Sequence, residues 1–274
     1  MIRKLEMTVL VDNIAAEPLA GEWGLSILID AGDRRLLLDT GASGLFAQNA
    51  ARLGIDLDSV DTGVLSHAHY DHADGLDAFF ALNRHAPFLV REGARENCFG
   101  TKEGTLRYIG IQRGTLDRHA ARIRYVSGVH GIADGIWLIP HRRTDYSAVA
   151  LRNGLYTVEN GARRPDDFAH EQSLVVETER GLVVFNSCSH TGMANILADI
   201  REVLGRCDVY AYVGGLHLFN MTDEELDALC GEIDRTRVEH IFTGHCTGDH
   251  AFEFLKARLG GRIGQFSSGF SHRF

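Results

Sequence analysis

Short apolar runs of strand length alternate along this sequence with longer stretches of helical periodicity. Residues 5–11 read as a strand. Residues 25–30 and 35–39 flank the turn 31–34, the pattern of a hairpin. Asp39-Thr40-Gly41 stops the second run. Residues 43–53 then carry Leu45, Phe46, Ala50 and Leu53 at helical spacing, and Gly54 closes the helix. A short strand over 60–66 follows, and 71–83 reads as a loop running into a helix. The same logic returns later. A hairpin spans 173–178 and 182–186 around Glu179-Arg180-Gly181, and 193–204 is an amphipathic helix. Residues 208–213 form a strand, Thr222-Asp223-Glu224-Glu225 is a capping box opening a helix, 239–243 is a strand and 249–259 a last helix. These two halves predict a layered α/β (α+β) protein, with two β-sheets packed together and helices outside.

Residues 91–165 are rich in Gly and Arg, with strand candidates only at 122–126 and 136–139. They read as a long excursion that covers a site; the alternative is a surface insertion. The chain's 274 residues, 45% hydrophobic and 24% charged, are enough to bury a core and exclude a disordered or membrane-embedded class. The formal charge of −9 argues against a nucleic-acid or anionic-lipid partner. The five cysteines are odd in number and lack a CxxC pair, which fits a reducing compartment. The basic then apolar opening is too short and interrupted for a signal peptide or a membrane span, so a cytoplasmic protein is expected.

Fourteen histidines change the picture, because three of them fall in Ser66-His67-Ala68-His69-Tyr70-Asp71-His72. His67 and His69 lie just past a strand. In extended backbone, positions two apart point the same way, so both imidazoles meet one cation. Asp71 and His72 lie where the chain turns into a helix and project towards a second. Imidazole with carboxylate suits zinc, iron or manganese, whereas calcium wants oxygen ligands. Four residues cannot close two coordination shells, so further ligands are expected at other strand ends. His190 follows the strand 182–186, His245 follows 239–243, His217 follows 208–213, and His170 precedes 173–178. Asp39 ends its strand and reads as an acceptor that orients a ligand histidine. Cys188 and Cys246 each read either as a thiolate ligand or as a small buried residue.

Leu38-Asp39-Thr40-Gly41, the His67-x-His69-x-Asp71-His72 motif and the later single-histidine motifs together resemble the metallo-β-lactamase fold superfamily. The resemblance spans nearly the whole chain. It implies a four-layer αββα sandwich, residues 1–274 as one such domain, and metals at one edge of the paired sheets. Asp166-Asp167-Phe168, Glu171-Gln172-Ser173-Leu174, Asn186-Ser187-Cys188-Ser189-His190-Thr191-Gly192, Gly214-Gly215-Leu216-His217-Leu218 and His245-Cys246-Thr247-Gly248 are similar to one subgroup. That subgroup includes a dihydropterin-methyl-ribofuranosylaminobenzene 5′-phosphate synthase of methanopterin biosynthesis. Many superfamily members place a bridging Asp after the strand that here ends in Asn186. No Asp stands there. Cys188 or His190 takes its place, or the metals have no protein bridge. If His190 occupies that strand, His170 or Glu171 falls where the third histidine motif usually lies.

The expected activity is that of a dinuclear metal-dependent hydrolase or related transferase. It would use a metal-activated water on a small substrate, one that can carry a phosphate. The two divalent ions would be zinc, with iron or manganese as alternatives. Asp71 would hold one metal and orient the water, while His217 would donate to the leaving group or bind a phosphate oxygen. Lys102, Arg107, Arg142 and Arg143 could face an anionic substrate. Two rival readings stand. One is a di-iron redox enzyme, although that variant replaces His69 by a carboxylate and adds a flavodoxin-like domain. The other is a metal-retaining binding protein without catalysis.

Overall fold

The runs over 5–11, 25–30 and 35–39 become β1 (Leu5–Val11), β2 (Ser26–Ala31) and β3 (Arg34–Leu38) in the computed structural model, which describes residues 1–143, 145–206 and 208–274. Helix α1 (Leu45–Arg52), β4 (Thr62–Val64), the short helices α2 (Tyr70–Ala73) and α3 (Leu76–Leu82), and β5 (Phe88–Arg91) follow. The middle of the chain supplies β6 (Cys98–Lys102), β7 (Thr105–Tyr108), α4 (Thr115–Arg118), β8 (Ile123–Val126), β9 (His130–Ala133) and β10 (Ile136–Pro140). Then come α5 (Ser147–Asn153), β11 (Leu155–Glu159) and β12 (Ala162–Pro165). The last part holds the hairpin β13 (Gln172–Thr178) and β14 (Gly181–Phe185), then α6 (Met193–Leu204), β15 (Val209–Val213) and α7 (Asp223–Thr236). It ends with β16 (His240–Thr243), α8 (Asp249–Leu259), β17 (Ile263–Gln265) and β18 (Ser271–Arg273).

Two seven-stranded sheets result, ordered β18-β1-β2-β3-β4-β5-β8 and β17-β16-β15-β14-β13-β10-β9. Period-two alternation explains why they stack and why helices cover them. In β3, Leu36 and Leu38 enter the core between the sheets, while Leu37 faces outward onto Phe46 of α1 and Phe79 of α3. In β14, Val183 and Phe185 face inward, and Leu182 and Val184 meet Ile196 and Ile200 of α6. Both faces of each sheet are therefore apolar, which gives the four layers expected of an αββα sandwich. The capping box forms as read. Thr222 accepts from the Glu225 amide at 3.4 Å, and Glu225 accepts from the Thr222 amide at 2.9 Å.

Residues 91–165 divide between two tasks. β8 joins the edge of the first sheet in parallel with β5, and β9 and β10 extend the second sheet. The remaining strands form a separate four-stranded sheet ordered β12-β11-β6-β7. Its hairpins turn on Glu103-Gly104 and Asn160-Gly161, all four residues with positive φ. Such two-residue turns match the twist of paired strands. The Asn-Gly pair was the available signal for the second hairpin. The polar, exposed strands beside it lack the apolar run that marks a core strand.

β3, β4, β5 and β8 run parallel, as do β14, β15, β16 and β17. Their carboxyl ends are where open sheets present loops to ligands. The residues after β3, β4, β14, β15 and β16 are the ones that carry the candidate chemistry. Among the described residues no helix is long and apolar enough to cross a membrane.

Candidate metal centre

The site is organised around Asp39, which follows β3 in a left-handed conformation (φ +61°) and is fully buried. Its Oδ1 accepts from the Ser66 amide at 2.7 Å. Its Oδ2 accepts from the hydroxyls of Ser66 and Ser187, each at 2.6 Å, and lies 2.8 Å from His72 Nδ1. One carboxylate thus ties the loop after β4 to the loop after β14, across the two sheets.

These contacts set the imidazole tautomers. The Ser66 hydroxyl donates to Asp39, so it accepts from His67 Nδ1 at 2.8 Å. His72 Nδ1 donates to Asp39, and His245 Nδ1 donates to the Asn13 amide oxygen at 3.0 Å. The Asn13 orientation is fixed in turn, because its Nδ2 donates to the His245 carbonyl at 3.1 Å. Each of the three rings therefore turns Nε2 inward. His67 Nε2 stands 3.3 Å from His190 Nε2, and His72 Nε2 stands 3.2 Å from His245 Nε2. Two nitrogens bound to one tetrahedral zinc-sized ion lie about 3.4 Å apart, given bonds of about 2.1 Å. Paired inward nitrogens at that spacing need a proton or a cation between them.

The side chains fall into two groups. His67, His69 and His190 converge in one. The His69 Nε2 and His190 Nδ1 atoms are buried without a hydrogen-bond partner. Burial holds His69 down at about 4, and burial with neighbouring imidazoles holds His67 and His190 well below the usual histidine range. All three are neutral and able to bind a cation. In the other group, Asp71 Oδ2 lies 3.5 Å from His245 Nε2 and 3.9 Å from His72 Nε2. Burial would raise the Asp71 carboxyl, but His72 and His245 pull it below the ordinary carboxylate range. Burial likewise opposes charge on His245, yet its bond to Asp71 lifts it to about 9. Cys188 lies between the groups, its Sγ 3.2 Å from His72 Nε2.

His170 and Glu171 sit close by but are otherwise engaged. His170 Nε2 is 3.1 Å from Asp166 Oδ2, and its Nδ1 accepts from the Ala68 amide at 3.2 Å. It thereby pins the turn between His67 and His69. Glu171 accepts from the His190 amide at 3.0 Å and from Thr191, and pairs with half-buried His141 at 2.5 Å. His217, in a left-handed conformation (φ +52°), packs its ring 4.3 Å from that of His190 and keeps a buried, unpartnered Nδ1. Four of the eight described non-glycine residues with positive φ, Asp39, Ser189, His217 and His245, fall in these loops, and such strain gathers at working sites.

The groups open on a cavity of about 360 Å³ whose rim includes Trp23, Tyr70, Lys102, Leu155 and Phe219. Trp23 and Phe219 are about half exposed and meet edge to face. Of the four basic candidates, Lys102 lines this cavity, Arg142 pairs with Glu202, Arg143 donates to Asn195, and Arg107 is exposed. The sequence marked no role for Asn13, Trp23, His141 and Phe219, and quoted Ser66, Asp166 and Ser187 only as parts of motifs. For Ser66 and Ser187, adjacency to the motif residues was the signal. Nothing local marks Asn13, which meets a partner 232 residues away.

Residues 24–147 match the family model of the metallo-β-lactamase superfamily. Over 268 residues the chain is 30% identical to the 7,8-dihydropterin-6-methyl-4-(β-D-ribofuranosyl)-aminobenzene-5′-phosphate synthase of Methanocaldococcus jannaschii, covering 87% of this chain and 89% of that protein. Among solved structures, Tm1679, described as a metal-dependent hydrolase of the β-lactamase superfamily, aligns with a TM-score of 0.82 at 30% identity over 98% of each chain. The metallo-β-lactamase fold protein YhfI of Bacillus subtilis shares the fold at a TM-score of 0.57 and 13% identity, covering 99% of this chain and 100% of that one. Members of this superfamily typically bind divalent metals, and the clustered His, Asp and Cys side chains at the sheet edge are consistent with that. Motif, layer order, site position and these similarities agree, and the chain belongs to the metallo-β-lactamase superfamily.

Proposed function

We propose that the protein is a dinuclear metal-dependent hydrolase, or a related transferase, acting on a small anionic substrate. The observation that carries the reading is the pair of facing Nε2 contacts, His67 with His190 and His72 with His245. Hydrogen bonds on the far side of His67, His72 and His245 fix the tautomers of those rings. His67, His69 and His190 would hold one cation; Asp71, His72 and His245 would hold the second. Imidazole-rich sets suit zinc, with iron or manganese as the next choices. Bound there, divalent cations supply Lewis-acid chemistry and bring the pKa of a coordinated water towards neutrality.

The protein's own groups do the rest. Asp71, ionised at neutral pH, orients the attacking water through its carboxylate. His217 Nδ1, with no competing partner, delivers a proton to the leaving group. Asp39 keeps His72 in the metal-binding tautomer. The small four-stranded sheet acts as a cover: Lys102 and Leu155 come from it, and Lys102 offers charge to an anionic substrate. The whole chain works as one domain in a reducing cytoplasm. Its likeness to a synthase supports retaining group transfer and a phosphate-bearing substrate within this reading.

The test is to strip the protein with a chelator, refill it with zinc, and assay phosphodiesters, phosphomonoesters, lactones and thioesters. Zinc-restored turnover of at least one class, absent from His67→Ala, is expected. Full metal content and full turnover in His67→Ala would refute the assignment.

A further inference from the structure

Resting on the two-cation reading above, we infer that the Cys188 sulfur is a ligand shared by both cations, in the place where many superfamily members set a carboxylate. Cys188 Sγ lies within 4.8 Å of ligand atoms from both groups, forming compact sets with His67 and His72, with His190 and His217, and with His245 and Cys246. Its 3.2 Å separation from His72 Nε2 resembles the roughly 3.6 Å expected of a sulfur and a nitrogen on one tetrahedral zinc.

The surroundings are built to hold a sulfur there. The residues on either side are locked: Ser187 donates to Asp39 at 2.6 Å, and Ser189 donates to the Gly215 carbonyl at 2.6 Å. These bonds hold the backbone on either side of Cys188 and so set where its Cβ stands. A thiolate accepts hydrogen bonds and donates none. The adjacent Cys246 Sγ stands 3.4 Å from Cys188 Sγ, within reach to donate to a thiolate there. Room for that second sulfur exists because residue 215 is glycine; a Cβ there would stand 2.5 Å from Cys246 Sγ. On metal uptake the Cys188 S–H bond breaks, two S–metal bonds form, and the proton leaves to solvent. A soft sulfur at the bridge favours zinc or cobalt over manganese or magnesium.

Anaerobic titration of the apo-protein with cobalt(II) tests this without any assay of activity. The wild type is expected to develop a near-ultraviolet thiolate-to-cobalt charge-transfer band that grows through two equivalents. Cys188→Ser and Cys188→Asp should lose the band, and Cys188→Ser should bind cobalt about 10–100-fold more weakly. Cys246→Ser should keep the band. A band that saturates at one equivalent, survives in Cys188→Asp, or disappears only in Cys246→Ser overturns the shared sulfur. Cobalt uptake by the wild type with no such band also overturns it while leaving the imidazole groups standing. No cobalt uptake at all brings down both readings.

Discussion

Two buried histidines of the second sheet flank the His67–His69 turn, one on the loop entering β13 and one on the loop leaving β14. They are equally buried, at 3% exposure each, and their surroundings use them in opposite ways. His170 has both nitrogens engaged, by Asp166 and by the Ala68 amide. His190 has its backbone held by Glu171 while its ring faces His67 with Nε2 and leaves Nδ1 without a partner. Burial therefore does not distinguish a ligand from a brace. What distinguishes them is whether the surrounding groups have already claimed the lone pairs. Glu171 and Asp39 lie on the bracing side of this division, with several donors each, and His69 lies on the open side.

The largest effect is expected at His67. His67→Ala is expected to lose metal, measured by atomic emission, and turnover by about 10³-fold or more, since the metal contributes several kcal/mol. The fold should survive, because the sandwich core lies away from this edge. Next comes the direct contrast. His190→Ala should lose one cation per chain with little change in the stability of the metal-free protein. His170→Ala should retain both cations yet destabilise the fold by about 3 kcal/mol in chemical denaturation, because Asp166 is left buried without its partner. If His170→Ala instead loses metal and His190→Ala does not, the division of roles is reversed. Asp39→Asn should weaken metal binding about 10–100-fold, since an amide nitrogen cannot accept from the donors gathered there. Competition with a chromophoric chelator would measure it.

Asp12 is a buried carboxylate outside the proposed ligand set. Asp12 has an Oδ1 that is buried without a partner, and burial raises its carboxyl to about 6. A carboxyl raised on folding lowers stability, from the unfolded value near 3.8 upward, with the full cost present above about 6. Asp12→Asn should therefore stabilise the metal-free protein at pH 8, by at most about 3 kcal/mol, and have no such effect near pH 4. Denaturant titrations at the two pH values would show the difference.

How much of this was readable in the chain depended on sequence distance. The contiguous motif at 67–72 supplies four of the six proposed ligands, and its place past a strand already pointed two imidazoles one way. His190, His217 and His245 were readable because each follows a strand in a glycine-flanked loop. The partition between the groups was not. It depends on how the loop after β14 crosses to the loop after β4, and that is fixed by Ser187 reaching Asp39, 148 residues apart. Asn13 and Trp23 stayed hidden for the same reason, since each acquires its role only against His245. The small sheet was hidden by composition, because its exposed strands do not carry a buried face that periodicity can reveal.

Diffraction from metal-loaded crystals, recorded on both sides of the zinc absorption edge, would locate each cation and its ligands. Two anomalous peaks are expected, one against His67, His69 and His190 and the other against Asp71, His72 and His245. A single peak, or a peak bonded to His170 with His190 turned away, would contradict it.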